Sequence, residues 1–326
     1  MRILVADDDD VMRHILEATL VKWGYDVVVA RNGLEAWRLL QGNNAPKLAI
    51  LDWIMPGMDG VEVCREIRKR EDRPYTYMLL LTAKHKKEDV IAGMEAGADD
   101  YIPKPFDPQE LKVRLRAGRR ILDLQAELLA TRESLRYQAT HDGLTGLLNR
   151  TAVLEALRNE LERANRQLMP LCLMLIDLDL FKNINDTYGH GIGDAVLCEA
   201  ARRMRSAVRI YDSVGRYGGE EFLFILPGCD AENAKKQAER LKACVTSNAI
   251  ELPRISVSIT ISIGVVVTYN AFVEDLDALI QAADDSLYKA KLQGRDRIVF
   301  ADALTLNHKH LGTQAATPAK PILSIR

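Results

Sequence analysis

Five short apolar runs alternate with amphipathic helical stretches over the first ~106 residues, and this alternation restricts the fold more than any other feature. The runs are "ILVA" (3–6), "DVVVA" (26–30), "LAIL" (48–51), "YMLLLT" (77–82) and "DYIP" (100–103). Most are apolar at consecutive positions, as in strands covered on both faces. Stretches such as "VMRHILEATLVKWG" and "GLEAWRLLQG" between them are long enough for helical crossovers, which parallel strands require. The prediction is an α/β domain with a parallel sheet between two helical layers.

The expected strand order is flavodoxin-like and doubly wound, which places ligands at the carboxyl ends of the strands. Asp7 and Asp8 follow the first run, Asp52 ends the third, Thr82 ends the fourth and Lys104 follows the fifth. Three carboxylates gathered at one edge repel one another, and Mg²⁺ with oxygen ligands relieves that repulsion. A hydroxyl at Thr82 and an ammonium at Lys104 suit the oxygens of a phosphoryl group carried by Asp52. Asp9 and Asp10 are expected to cap the helix that follows.

From Pro108 to about Gln138 the strand pattern stops. Ile121, Leu124, Leu128, Thr131 and Leu135 recur at 3-4-3-4 spacing, a coiled-coil seam, while Leu111, Leu115 and Leu122 form an offset set around Gly118. About 31 residues at ~1.5 Å each would span roughly 46 Å. The reading is a helical stalk over 108–140 that pairs with a second copy and joins a domain over 1–120 to another over 141–301.

That second α/β domain has its clearest strands in "PLCLMLIDLDLF" (170–181), "EEFLFILP" (220–227) and "RISVSITISIGVVV" (254–267). The tail over 302–326 is polar and aperiodic and reads as flexible. A net charge of −2 gives no basic footprint for nucleic acid. No apolar run approaches the ~20 residues of a membrane span, and nothing near the start resembles a signal peptide, so a cytoplasmic protein without membrane contact is expected. Five scattered cysteines without a C-x-x-C pair read as reduced thiols.

Within this domain "GGEEF" (218–222) places two acids at the mouth of an apolar strand. A two-residue loop of Gly218 and Gly219 is expected to close a hairpin, with the glycines admitting positive φ and the approach of a phosphate or ribose. Glu220 and Glu221 would then lie beside Asp177 and together recruit Mg²⁺. Asp177 and Asp179 are expected on opposite faces, so that only one joins these acids and the other caps or pairs. Asn185 and Asp194 offer the acceptors and donors of a guanine edge. Lys291 and Arg295 are expected one helical turn apart, fit to hold a triphosphate.

Residues 1 to about 120 resemble a response-regulator receiver domain. The resemblance implies Asp52 as phosphoacceptor from a cognate histidine kinase. It also implies Asp7, Asp8 and the Ile54 carbonyl as Mg²⁺ ligands, with Thr82, Tyr101 and Lys104 as switch residues. Ile54 and Lys84 would occupy the two variable positions beside the phosphorylation site.

Residues 141–301 resemble the GGDEF domains of diguanylate cyclases, an α/β fold akin to nucleotidyl cyclases and the polymerase palm. The match runs through "DGLTGLLNR" (142–150), "IDLDLFKNINDTYGHGIGD" (176–194), "RYGGEEF" (216–222) and "SLYKAKLQGRDRI" (286–298). It implies condensation of two GTP into cyclic di-GMP with release of pyrophosphate, by two domains of a homodimer or higher oligomer. Asp177 and Glu221 would hold Mg²⁺ or Mn²⁺, and Glu220 would bind metal or deprotonate the ribose 3′-hydroxyl. Asn185 and Asp194 would recognise guanine, while Phe181, Lys182, Lys291 and Arg295 would grip phosphates. Arg209 and Asp212, an R-x-x-D five residues before "GGEEF", would form an inhibitory product site, with Arg240 as partner arginine from another subunit. The alternative is a GGDEF domain that binds GTP or cyclic di-GMP without catalysis. The presence of Asp177, Lys182, Glu220, Glu221 and Arg295 favours the enzyme.

Ile54 offers an attacking water no side-chain hydrogen bond. Self-dephosphorylation at Asp52 is therefore expected to be slow, with a phosphoprotein half-life in magnesium buffer well beyond seconds.

Overall fold

The computed structural model describes residues 1–69, 74–83, 87–253, 255–269 and 275–301, without the side chains of 87–90. Lys84, Arg254 and the tail over 302–326 lie outside the described residues. The chain divides into two compact units, Met1–Glu133 and Ser134–Arg326.

In the first unit, β1 (Arg2–Ala6), β2 (Asp26–Ala30), β3 (Leu48–Asp52), β4 (Tyr77–Thr82) and β5 (Asp100–Pro103) fall on the five runs expected from the sequence. All pair in parallel, in the order β2-β1-β3-β4-β5. The helices are α1 (Asp10–Lys22), α2 (Gly33–Leu40), α3 (Gly60–Arg68), α4 (Lys87–Glu95) and α5 (Pro108–Thr140). One core lies on the α2 and α3 side of the sheet and a second on the side of α1 and the first turns of α5. Asp9 caps α1 by accepting from the backbone N–H groups of Val11 and Met12. Asp10 sits in the first turn and pairs with Arg13.

Helix α5 separates the two apolar sets read from the stalk. Leu111, Leu115 and Leu122 are buried in the core beside α1, and Gly118 lies where a Cβ would meet the Tyr77 ring at 2.5 Å. The upstream set is therefore the receiver-facing stripe of the helix. Ile121, Leu124, Leu128 and Leu135 are 45–68% exposed within the chain. An offset of seam residues that looks ambiguous in sequence is thus a change of packing partner along one helix.

The second unit is built on a mixed sheet in the order β12-β11-β6-β8-β7. Its strands are β6 (Leu171–Leu178), β7 (Ser213–Arg216), β8 (Glu221–Pro227), β11 (Ile261–Thr268) and β12 (Ile298–Phe300). A separate hairpin joins β9 (Ile250–Leu252) to β10 (Ile255–Val257). The single strand expected over 254–267 is therefore two strands in different sheets, and β7, β9 and β12 carry too few apolar residues to stand out in the sequence.

Side-chain parity arranges the helices around this sheet. Cys172, Met174 and Ile176 of β6 join Phe222, Phe224 and Leu226 of β8 in one core. That core is closed by α8 (His190–Ser206) and α9 (Ala231–Thr246). Leu171, Leu173 and Leu175 join Leu223 and Ile225 on the other face, beneath α6 (Arg150–Gln167) and α10 (Leu276–Leu292). α7 (Phe181–Tyr188) follows β6 after Leu180, which turns the chain at φ 56°.

Gly264 of β11 is required for close approach of α10, because a Cβ there would meet the Ala283 carbonyl oxygen at 2.1 Å and the Leu287 nitrogen at 2.5 Å. Both obstacles are backbone, so no rotamer change relieves them. Gly264→Ala is expected to destabilise the second unit by about 3 kcal/mol. Chemical denaturation of the full chain checks this, and a variant as stable as the wild type would contradict it.

Candidate functional site

The first unit gathers Asp7, Asp8 and Asp52 at the carboxyl edge of its sheet, with one oxygen from each within 4.8 Å of the others. Parallel pairing of β1 with β3 forces this, since both strands end on the same side. Asp7 and Asp52 are buried, and Lys104 Nζ lies 2.9 Å from an oxygen of each. Burial raises the Asp52 carboxyl above its ordinary value, against the pull of Lys104. Burial lowers Lys104 in turn, but its hydrogen bonds to Asp7 and Asp52 outweigh that and leave it raised. Arg13, also buried, donates to the Asp7 carbonyl at 2.7 Å.

Thr82 is fully buried, and its carbonyl accepts from the Lys104 backbone at 2.7 Å. The two residues are therefore held side by side at the sheet edge. Ile54 is 61% exposed beside Asp52, and Tyr101 packs half-buried against the α2 and α3 core. Three close carboxylates with room for water suit a hard divalent cation such as Mg²⁺.

In the second unit the same parity that builds the core delivers the acids. Asp177 ends the Leu171, Leu173, Leu175 series and Glu221 ends the Leu223, Ile225 series, so both lie on the α10 face. The two are direct cross-strand partners. Lys291 of α10 meets Asp177 there, with Nζ 2.7 Å from Oδ2. Burial raises the Asp177 carboxyl to about 6, with Glu220 and Glu221 adding to the rise and Lys291 opposing it.

Several expectations need correction. Asp177 and Asp179 do not point to opposite faces, because residues two apart on a strand share one. They separate by partner: Asp177 meets Lys291, whereas Asp179 accepts from Ser262 Oγ at 2.7 Å and Thr260 Oγ1 at 2.8 Å. Gly218 and Gly219 do not form a two-residue turn, since Tyr217 and Gly218 both donate to the Glu221 carbonyl and leave a longer loop. Neither glycine is in the left-handed region. Gly218 is needed for space instead, as a Cβ there would stand 2.7 Å from a Glu221 carboxylate oxygen.

Lys291 and Arg295 do not share a helical face. α10 ends at Leu292, and Arg295 lies beyond Gly294 with φ 60°. Nor do Asp177, Glu220 and Glu221 close into a cation-sized cage; among the described residues the one such trio of acids is Asp7, Asp8 and Asp52. A paired Asp177 and Glu221 still fit Mg²⁺, which is held by one or two carboxylates together with substrate phosphates.

Gly193 leaves space for Asn185, whose Oδ1 would stand 1.8 Å from a Cβ there, so the amide lies against α8 next to Asp194. Phe181 is a core residue and Lys182 is exposed. Arg209 is exposed, donates to the Tyr211 hydroxyl at 2.6 Å and borders a cleft of about 290 Å³ with Arg163 and Tyr211. Asp212 is buried and caps the Arg209 backbone N–H at 2.8 Å; burial raises its carboxyl. Arg240 donates to the carbonyl of Ala207 in its own chain, and its charge reaches that chain's Asp212.

Sequence reasoning missed Arg216. Its guanidinium donates to the Gly219 carbonyl at 2.7 and 3.0 Å and to both Asp142 oxygens at 3.2 Å. The signal was present in "DGLTG" and "RYGGEEF", where the acid and the base are 74 residues apart.

Two families match the chain: "Response regulator receiver domain" over residues 3–116 and "Diguanylate cyclase, GGDEF domain" over 139–297. Response regulator PleD of Caulobacter vibrioides is 34% identical over 264 residues, 77% of this chain and 56% of PleD. Diguanylate cyclase DgcM of Escherichia coli K12 is 41% identical over 170 residues, 52% of this chain and 40% of DgcM. The chain thus spans about half the length of these relatives. The crystal structure of the coiled coil and GGDEF domain of DgcB from Caulobacter crescentus with c-di-GMP is 30% identical. It covers 59% of this chain and 99% of that one, with a TM-score of 0.52. Among the described residues no helix is long and apolar enough to cross a membrane.

The raised Asp177 carboxyl has a stability consequence in metal-free protein. The folded state holds that proton more tightly than the unfolded chain, so its contribution is complete below about 3.8 and lost as pH rises through about 6. Urea denaturation in chelator is expected to show this decline, to lose it in Asp177→Asn and to extend it to higher pH in Lys291→Met. An identical pH profile in all three proteins would refute the assignment.

Proposed function

The chain belongs to the response regulators that join a receiver domain to a GGDEF domain homologous to diguanylate cyclases, and on that premise we propose that it condenses two GTP into cyclic di-GMP under control of phosphorylation at Asp52. The observation that carries this reading is Asp177 directly opposite Glu221 on the face that brings Lys291, beneath a loop that Gly218 keeps open.

In this reading Asn185 and Asp194 hold the guanine edge, and Lys182, Lys291 and Arg295 with the Phe181 backbone hold the phosphates. Lys291 is released from Asp177 to do so. Asp177, Glu221 and Glu220 would hold Mg²⁺ or Mn²⁺, which when bound neutralises phosphate charge and lowers the pKa of a ligated hydroxyl. The ribose 3′-oxygen of one GTP attacks the α-phosphorus of the other, and the bond from that phosphorus to the bridging oxygen breaks, so that pyrophosphate leaves. The hydroxyl proton passes to a carboxylate of the Glu220 and Glu221 pair. A second, reciprocal attack closes the ring.

Each domain brings one GTP, so two copies must face each other. The exposed Ile121, Leu124, Leu128 and Leu135 of α5 supply a seam for that pairing. A histidine kinase is the phosphoryl donor for Asp52, with Mg²⁺ at Asp7, Asp8 and the Ile54 carbonyl and with Thr82, Tyr101 and Lys104 as the responding groups. Arg209, Asp212 and Arg240 form the product-binding site, with the exposed Arg209 leaving Tyr211 to stack on a base and bind phosphate.

The test is to incubate the full chain with GTP and Mg²⁺, with and without acetyl phosphate, and to identify the product. Cyclic di-GMP is expected, at a rate raised by the phosphodonor in the wild type and unchanged in Asp52→Asn. Glu221→Ala is expected to lose about a hundredfold or more in rate. Arg209→Ala is expected to relieve inhibition by added cyclic di-GMP. GTP binding without any cyclic di-GMP, with or without the phosphodonor, would reduce the domain to a nucleotide sensor.

A further inference from the structure

Asp179 is a buried acid to which the proposed chemistry gives no task. It is 5% exposed, and it draws together three parts of the second unit. Its Oδ1 accepts from Ser262 Oγ of β11 at 2.7 Å. Its Oδ2 accepts from Thr260 Oγ1 at 2.8 Å and from the Asp296 backbone N–H, 117 residues away, at 3.0 Å. Its own N–H donates to the Thr260 carbonyl at 2.9 Å.

The turn it grips is unusual. After α10 the chain passes through Gly294, Arg295 and Asp296 at φ 113°, 60° and 47°, three successive left-handed residues of which two carry side chains. L-residues avoid that region, and consecutive ones persist only where surrounding bonds impose them. Several bonds impose the turn, among them Lys242 Nζ donating to the Asp296 carbonyl and Arg297 Nε donating to the Arg295 carbonyl at 3.0 Å. Arg295 N–H donates to the Ala290 carbonyl at 3.1 Å, Asp296 N–H donates to Asp179, and Lys242 Nζ lies 3.2 Å from Asp296 Oδ1. Arg295 itself is exposed, and its guanidinium has no partner among the described residues.

We infer that Asp179 is a positioning residue for Arg295: by accepting the Asp296 N–H it sets the left-handed turn from which Arg295 reaches the phosphates of GTP. This rests on the reading of the second unit as a GTP site. It explains why an acid two residues from Asp177 turns away from it, toward donors at the end of a different helix. It also explains how Arg295, which has left the helix that carries Lys291, is kept in register with it.

The test uses the full chain and an α,β-methylene analogue of GTP, whose bridge cannot be cleaved, with affinity read by calorimetry in Mg²⁺. Asp179→Ala takes the acceptor from Asp296, so affinity is expected to fall about tenfold. Arg295→Ala is expected to fall by a similar factor, and the double variant no further than the worse single one. Lys242→Ala and Thr260→Val loosen the same turn without removing the acid. They are expected to weaken binding in Arg295 protein but not in the Arg295→Ala background, and they carry the test if Asp179→Ala does not fold. The Mg²⁺ concentration for half-maximal binding should stay near the wild-type value in every variant. Losses that multiply in the double variant, or wild-type affinity in the single ones, would overturn the role of Asp179 alone. A wild-type chain that binds no analogue would overturn the GTP reading and this inference with it.

Discussion

Asp177 stands opposite Glu221 because β6 and β8 pair antiparallel in a register that their apolar residues impose. A one-residue slip would carry Phe222 and Phe224 out of the α8 and α9 core and turn every Leu of β6 to the wrong helices. Burial of those large side chains, each worth about 2 kcal/mol or more, therefore fixes the position of two carboxylates that gain nothing from being adjacent. Burial, with the nearby Glu220 and Glu221 adding to it, raises the Asp177 carboxyl. Lys291 offsets part of it, and α10 reaches Asp177 only because Gly264 admits its backbone against the sheet. Electrostatic strain at the edge is thus maintained by packing in the middle.

The receiver unit meets the same difficulty with a different sheet. Parallel strands end together, so Asp7 and Asp52 converge without any side-chain design, and Lys104 bridges them from the loop after β5. In each unit a lysine ammonium lies against acids that suit a divalent cation. The lysine lowers the repulsion between carboxylates in the absence of an ion.

The strands of the receiver fold were legible almost to the residue: β1, β3 and β4 are buried nearly throughout and write themselves as unbroken apolar runs, and the partly buried edge strands β2 and β5 follow the same alternation with helices. The second unit was less so. β7, with the sequence "SVGR", is held by its place beside β8 and by Leu148, not by its own hydrophobicity. Glu221 of "GGEEF" lies opposite Asp177, yet the reason for Gly218 is steric and not conformational, which depends on where the Glu221 side chain folds back. The end of α10 was marked by Gly294, the kind of residue that closes a helix, and the error lay in spacing Arg295 as if the helix ran on past it. Long-range partners explain the remainder: Asp142 with Arg216 and Asp179 with Asp296 are ordinary residues until the fold brings them together.

Those long-range pairs also decide how rigid the "GGEEF" loop can be. β7 is only four residues long, with Asp212 capping the backbone of Arg209 before it and Arg216 holding the Gly219 carbonyl after it. Arg216 is fixed by Asp142, which accepts from Thr145 in the turn that follows α5, and Asn149 there bonds the Ala139 and Thr140 carbonyls at the end of that helix. The Asp142 carboxyl lies below its ordinary range, since the Thr145 hydrogen bonds and the Arg216 charge outweigh its partial burial. A charge held so firmly is a poor hinge and a good lever. The "GGEEF" loop and the last turn of α5 are consequently joined within the second unit through Arg216, Asp142 and the turn over 141–149.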